Sequence, residues 1–376
     1  MSVRILHGDC RDVLLTLPNE SVHCCVTSPP YFGLRDYDVP PTDWPEVIFK
    51  LFSGMPEMTV PAMSCCHGLE SDPYSFIAHE VLIFREVRRI LRDDGTLWLN
   101  IGDSYASAGG QSPQSGKLFK GRARQRENIC ISQRGQYAGI KSKDLMGIPW
   151  MLAFALRADG WFLRQDIIWS KPNPMPESVT DRCTKAHEYM FLLTKSARYY
   201  FDADAIKEPL ASASIAQLSQ PGLDAQHGSD RVPGKTNGNM KAVRAKGNRK
   251  TFRGGGVYTA GQSFDNDSSA TNDSIGNAPN ESDVRNKRSV WSVATRPFKE
   301  AHFATFPPAL VEPCILAGCP VGGTVLDPFG GAGTTGLVAE RLQRNSILIE
   351  LNHGSVNIAR NRIVAEAPLL AAVANA

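Results

Sequence analysis

Val325-Leu326-Asp327-Pro328-Phe329-Gly330-Gly331-Ala332-Gly333-Thr334-Thr335 narrows the possible folds more than any other stretch of this 376-residue chain. Its apolar start reads as a strand and its glycines as a turn; Leu337, Val338 and Leu342 continue as a helix, and Ile347-Leu348-Ile349 as a second strand ending in Glu350. Strand, turn, helix and strand in that order make a βαβ unit of a parallel sheet. Such a unit binds nucleotides: the glycines admit a ligand close to the backbone, the helix N-terminus favours a carboxylate, and an acid about 20 residues on can grip ribose hydroxyls. The spacing of Gly330, Gly331, Gly333 and Gly336 does not fit GxGxxG, and no lysine follows as in a P-loop. S-adenosylmethionine, with a carboxylate and a ribose but no phosphate, suits the turn better.

A second strand end carries polar chemistry. The run Val22-His23-Cys24-Cys25-Val26 leads into Thr27-Ser28-Pro29-Pro30-Tyr31, where two prolines stop the ladder and leave Ser28 and Tyr31 at the carboxyl end of a sheet. Proline has no N–H, so nearby carbonyls remain open to other donors. A base with an exocyclic amino group fits such a loop: Ser28 Oγ and the Pro29 carbonyl accept its two protons, and Tyr31 stacks on its ring. The bland alternative is a rigid turn with a packing aromatic.

The remaining periodicities fill in an α/β order. Val3 to Leu6 reads as a strand ending at His7-Gly8-Asp9, where Asp9 either caps the helix over 12–17 or contacts a ligand. Residues 38–73 are Pro-rich and irregular, which predicts a mobile lid or local helix. A helix over 75–91 is ended by Asp93-Asp94-Gly95, and a strand follows over 96–101. Residues 102–134 are polar, and Lys117, Lys120, Arg122, Arg124 and Arg126 make them a solvated loop or a phosphate-contacting segment. A helix over 143–158, strands over 161–169 and 188–194, and a helix opening after His302-Phe303-Ala304-Thr305-Phe306-Pro307 complete the pattern. The start of the 188–194 strand, with His187 and its neighbours, stands apart from an otherwise buried run.

Composition changes between 205 and 286, where Ser, Gly, Asn and Gln dominate without periodicity. Arg231, Lys235, Lys241, Arg244, Lys246, Arg249, Lys250 and Arg253 cluster there without an acidic residue. This is a solvated insert or, better in view of its charge, one that contacts DNA. The net charge of the whole chain is only +3, so any nucleic-acid surface is local. Nine irregularly spaced cysteines, no secretory leader and no apolar run of about 18 residues lead us to expect a cytoplasmic protein away from membranes. Cys65-Cys66-His67 lacks a second ligand pair, and no metal site is expected.

Taken together, Ser28-Pro29-Pro30-Tyr31 and Asp327 to Thr335 resemble the DNA amino-methyltransferases, which methylate adenine N6 or cytosine N4. With the tetrapeptide first and the cofactor turn last, the order is similar to that of the β class. The resemblance implies a Rossmann-like S-adenosylmethionine-dependent methyltransferase fold with a mixed, mainly parallel sheet, formed by 1–204 and 287–376; the insert over 205–286 matches no family motif and is read from its composition as a partly flexible target-recognition insert. It implies that Ser28, Pro29, Pro30 and Tyr31 hold the flipped base. Asp327, Phe329, Gly330, Gly331, Gly333 and Thr334 would then form the cofactor loop, Glu350 would bind the ribose, and Asp9 would approach the adenine. His302, Phe306 and Pro307 resemble the cofactor-side segment of the family. Ala332 stands where the family usually has serine, which removes one hydrogen bond to the methionine moiety. Double-stranded DNA is the implied partner, a homodimer is a family-level expectation, and a restriction endonuclease as companion is left open. The target base is adenine or cytosine. The rival readings are an RNA or small-molecule methyltransferase on the same fold, or a catalytically silent DNA-binding protein.

Overall fold

The structure, a computed structural model, describes residues 2–34, 39–106, 139–211, 284–295, 306–366 and 372–375. Along them run β1 (Ser2–His7), α1 (Cys10–Leu15), β2 (Val22–Thr27), β3 (Thr42–Trp44), β4 (Val47–Phe49), β5 (Met58–Val60), β6 (Met63–Cys65), α2 (Pro73–Ile90), β7 (Leu91–Ile101) and α3 (Ile148–Ala158). Then come β8 (Phe162–Ser170), β9 (His187–Thr194), β10 (Glu208–Pro209), β11 (Val284–Arg285), β12 (Val290–Ser292), α4 (Pro308–Gly318), β13 (Thr324–Asp327), α5 (Thr334–Arg341), β14 (Asn345–Glu350), α6 (His353–Glu366) and β15 (Ala372–Asn375).

Among the described residues the main sheet has nine strands in the order β12-β8-β9-β7-β2-β13-β14-β1-β15. Only β9 runs antiparallel to its neighbours β7 and β8, and the other pairings are parallel. The central strands alternate between two covered faces. Cys25, Leu97 and Leu99 join the core built with α1, α2 and α3, while Cys24, Val26 and Trp98 join a core with α4. A strand buried on both sides reads as an unbroken apolar run, as β2 does.

Three boundaries differ from the sequence expectation. The helix α2 ends at Ile90 because Leu91 is extended and pairs with Val22, so β7 begins before the Asp93-Asp94-Gly95 stop signal. Helix α3 begins at Ile148, after Gly147 in the left-handed region (φ 76°) and with Pro149 in its first turn. The 39–73 stretch is neither lid nor helix: β3 pairs with β6 and, nested within them, β4 pairs with β5, with Trp44, Val47, Phe49, Val60 and Cys65 buried in the core beside α2.

The chain forms two compact units, Met1–Ile206 with Arg288–Ala376, and Lys207–Lys287. In the second, the described residues include the antiparallel pair β10 and β11, with Arg285 Nε 2.9 Å from Glu208 Oε1. The basic positions 231–253 and 117–126, and His302, lie outside the described residues.

Candidate active site

The order of strands brings together two segments that lie some three hundred residues apart. β13 pairs in parallel with β2, so Cys25 lies opposite Leu326, and the Ser28 loop and the Phe329–Gly333 turn leave the sheet side by side at its carboxyl end. Open α/β sheets place ligands in such a crevice.

Asp327 ties the two loops. Its carboxylate is fully buried and accepts from Thr27 Oγ1 (2.7 Å), Thr335 Oγ1 (2.6 Å) and the Phe329 N–H (3.0 Å). Burial pushes its carboxyl up to about 6 despite these donors. Asp327, expected at the cofactor pocket, joins β2, β13 and α5 through these bonds. Glu350 is half-buried at the end of β14 and receives the Gly331 N–H (2.8 Å) on one oxygen and the Asn352 N–H (2.7 Å) on the other. Burial raises its carboxyl also, against those two amides.

The glycines divide their duties. At Gly331 (φ 50°) an added Cβ would meet only the Phe329 carbonyl, 3.9 Å away, so the turn leaves room at that point. At Gly330 a Cβ would lie 3.0 Å from Leu348 Cβ, and at Gly333 (φ 76°) 2.8 Å from Ala359 Cβ. Those two are therefore dictated by packing of the turn on β14 and α6. Thr334 Oγ1 accepts from Arg362 (2.9 Å), which also binds the Ala332 carbonyl. A ribose fits this set: a carboxylate offers about four lone-pair sites, so Glu350 can take a hydroxyl beside the amides it holds, and the space over Gly331 lies beside it.

Asp9 caps α1. Its oxygens accept from the Arg11 N–H, Nε and Nη2, which hold its carboxyl below the usual range although burial works in the opposite sense. Both alternatives for Asp9 thus begin from an aspartate already paired. Phe306 is half-buried against the α4 core, and Pro307 precedes α4 in extended backbone.

The Ser28 loop is held from the other side by β7 and β9. Tyr31 Oη lies 2.7 Å from Glu188 Oε2 and 3.1 Å from Asn100 Oδ1, and its ring packs on Gly102, where a Cβ would come within 2.6 Å of Cε2. Ser28 Oγ is 3.4 Å from Tyr31 Oη, and Lys171 Nζ pairs with Glu188 Oε1. A cavity of about 250 Å³ lies next to this loop, lined by Phe32, Leu34, Asp103, Tyr105, Met146 and Lys185 among others.

The N6/N4 methyltransferase family model, described as DNA methylase, matches residues 22–361. The chain belongs to the N6/N4 DNA methylases. It is 38% identical over 362 residues to the Type II methyltransferase M.Cfr9I of Citrobacter freundii, covering 96% of this chain and 88% of that protein. It is also 38% identical to M.SmaI of Serratia marcescens, over 96% and 91%. In fold it is similar to the cytosine-N4-specific PvuII DNA methyltransferase, at a TM-score of 0.53, 15% identity and coverage of 96% and 87%. The Thermus thermophilus TTHA0409, a putative DNA modification methylase complexed with S-adenosylmethionine, superposes with a TM-score of 0.50 at 19% identity, covering 99% of each chain. The methylase therefore uses S-adenosylmethionine as methyl donor and acts on an exocyclic amino group of DNA.

The geometry of this methylase gives roles to further residues. Thr27 and Thr335 stand inside the two motif stretches with no role assigned from sequence, Asn100, Gly102, Lys171 and Arg11 carry no local pattern, and the polar start of β9, His187-Glu188, carried a signal. Beneath both loops lies a buried group of acids and imidazoles. Gly33 N–H donates to the Gly68 carbonyl (2.8 Å), Gly68 N–H to Glu70 Oε2 (2.9 Å), and Glu70 Oε1 pairs with His79 Nδ1 (3.0 Å). His67 stands 5.5 Å from the Phe329 ring and 2.9 Å from the fully buried Glu80. Burial lowers the His67 imidazole, but the Glu80 and Glu70 carboxylates outweigh it and hold it above its ordinary value. Cys65, Glu70 and His79 bring potential metal-ligand atoms within 4.8 Å of one another, a grouping different from the Cys65-Cys66-His67 run. The His79–Glu70 hydrogen bond accounts for part of that approach. The methylase has no helix among its described residues long and apolar enough to cross a membrane.

Proposed function

We propose that Ser28, Pro29, Pro30 and Tyr31 receive a flipped base from duplex DNA and present its amino group to the methyl of S-adenosylmethionine held over Gly331 and Glu350. The observation that carries this is the parallel pairing of β13 with β2, which sets the two loops next to each other at the carboxyl end of the sheet. An aromatic amine is a poor nucleophile because its lone pair is delocalised into the ring. Ser28 Oγ and the Pro29 carbonyl, accepting its two protons, draw that pair back onto nitrogen, and fixed orientation supplies the rest. The cofactor contributes an electrophilic methyl on a sulfonium. Asp9, Phe306 and Pro307 are assigned to its surroundings.

Because M.Cfr9I and M.SmaI are Type II methyltransferases, we assign the chain a site-specific modification role in which residues 205–286, with Arg231 to Arg253, make the recognition contacts. A homodimer and a nuclease of matching specificity belong to the same proposal, as does a cytoplasmic location. The test is incubation with tritiated S-adenosylmethionine and mixed-sequence duplex DNA, then digestion and mass spectrometry of nucleosides. N6-methyladenine or N4-methylcytosine supports the reading and names the base; Ser28→Ala should lower the rate about 10²- to 10³-fold. Label on RNA, or on nothing, refutes it.

A further inference from the structure

We infer that Glu188 is the terminal proton acceptor of the reaction, reached from the target amine through the Ser28 and Tyr31 hydroxyls; this rests on the reading of Ser28 as the base-binding residue. The four groups form one line. Ser28 Oγ lies 3.4 Å from Tyr31 Oη, Tyr31 Oη lies 2.7 Å from Glu188 Oε2, and Lys171 Nζ closes the line on Glu188 Oε1. Tyr31 has one hydroxyl proton and two acceptors in range. The shorter contact, to the charged oxygen, takes it. Asn100 Nδ2 donates to the Tyr189 carbonyl at 3.0 Å and lies 3.4 Å from the same Glu188 Oε2, so it is a second donor on that oxygen rather than the base of the line.

This fixes the polarity of the line. With Tyr31 donating to Glu188, the lone pairs of Oη face Ser28, which therefore donates to Tyr31. Ser28 Oγ then turns its own lone pairs outward, to the position where it must accept from the amine. A serine is a weaker acceptor than a carboxylate, and the negative charge of Glu188, transmitted through two polarised hydroxyls, strengthens it. The 3.4 Å step is long for two hydroxyls, as catalytic hydrogen bonds commonly are before substrate binds.

The step balances as follows. The amine nitrogen forms a bond to the methyl carbon while the carbon–sulfur bond breaks, its electron pair staying on sulfur. The nitrogen then carries two protons and a positive charge. One proton passes to Ser28 Oγ as the Ser28 proton passes to Tyr31 Oη and the Tyr31 proton to Glu188 Oε2. The products are a neutral methylamine and a protonated Glu188, 17% exposed and thus able to return the proton to solvent. A protonated aromatic amine is so strong an acid that even a carboxylate paired with lysine accepts its proton readily.

The test measures single-turnover transfer with wild type, Tyr31→Phe, Glu188→Gln, Glu188→Asp and the Tyr31→Phe/Glu188→Gln double variant, alongside cofactor and DNA affinities and melting temperatures. Expected are losses of about 10²- to 10³-fold in the transfer rate for Tyr31→Phe and for Glu188→Gln, unchanged affinities and melting, partial recovery in Glu188→Asp, and a double variant no slower than the worse single. Glutamine keeps an oxygen to hold Tyr31 in place, so a wild-type rate in Glu188→Gln overturns the inference while leaving the methylase reading intact. Additive losses in the double variant also overturn it. A wild type that labels no DNA overturns both.

Discussion

Replacing Asp327 by asparagine tests whether the knot between the two loops is an ionised carboxylate held at a cost. The carboxyl rises from 3.8 to about 6 in the fold, with burial as the first cause. A raised acid stabilises the native state fully at low pH, where both states are protonated, and withdraws that stability as pH climbs from the unfolded value through the folded one. At neutral pH the ionised group therefore costs about 3 kcal/mol, of which about 1.5 kcal/mol is lost between pH 5 and pH 8. In Asp327→Asn the remaining oxygen still serves Thr27 and the Phe329 N–H. Thr335 Oγ1 can rotate to accept from the new amide and donate to the Val26 carbonyl at 3.4 Å. The expected outcome is a difference in unfolding free energy, wild type minus variant, that falls by about 1.5 kcal/mol from pH 5 to pH 8 in urea titrations. A difference that stays constant, or rises with pH, refutes the claim that burial governs this carboxyl.

Three other outcomes follow from the geometry. Gly102→Ala puts a Cβ 2.6 Å from the Tyr31 ring, whose hydroxyl is pinned by Glu188, so the ring that we propose stacks on the base must move; the transfer rate should fall about 10²-fold in single-turnover assays while cofactor affinity stays unchanged. Glu350→Ala removes the carboxylate that meets Gly331 and Asn352 and should weaken S-adenosylmethionine binding by about tenfold or more by calorimetry, the loss of one charge-assisted hydrogen bond. Glu70→Ala leaves the fully buried His79 without its partner and cuts the Gly68 support under Gly33; a destabilisation of about 3 kcal/mol should appear in chemical denaturation.

The parts of the fold that were legible in sequence are those decided by local pattern. The strand–turn–helix–strand from Thr324 to Glu350 follows from a period change across a glycine turn, and β2 with its Pro-Pro stop from one apolar run. Residues 39–73 were opaque because four strands of three residues each are too short to show a period, and their pairing is nested. The end of α2 was misplaced because Leu91 is captured by Val22, a tertiary pairing that no local stop signal encodes. In the site, Ser28, Tyr31 and Glu350 announced themselves at strand ends. Thr27 and Thr335 did not, since a buried threonine bonded to a distant aspartate looks like any β-branched core residue until the strands are laid side by side.

Strand order also explains how so long an insert is compatible with so exact a site. Among the described residues β12 ends the main sheet and pairs with β8, three strands away from β2. The antiparallel pairing of Glu208 with Arg285 brings the two ends of the insert together. The contacts of Asp327 with Thr27 and of Tyr31 with Glu188 lie within the first unit. On the proposed function, the pairing of β2 with β13 fixes the distance between the amine acceptors and the methyl donor.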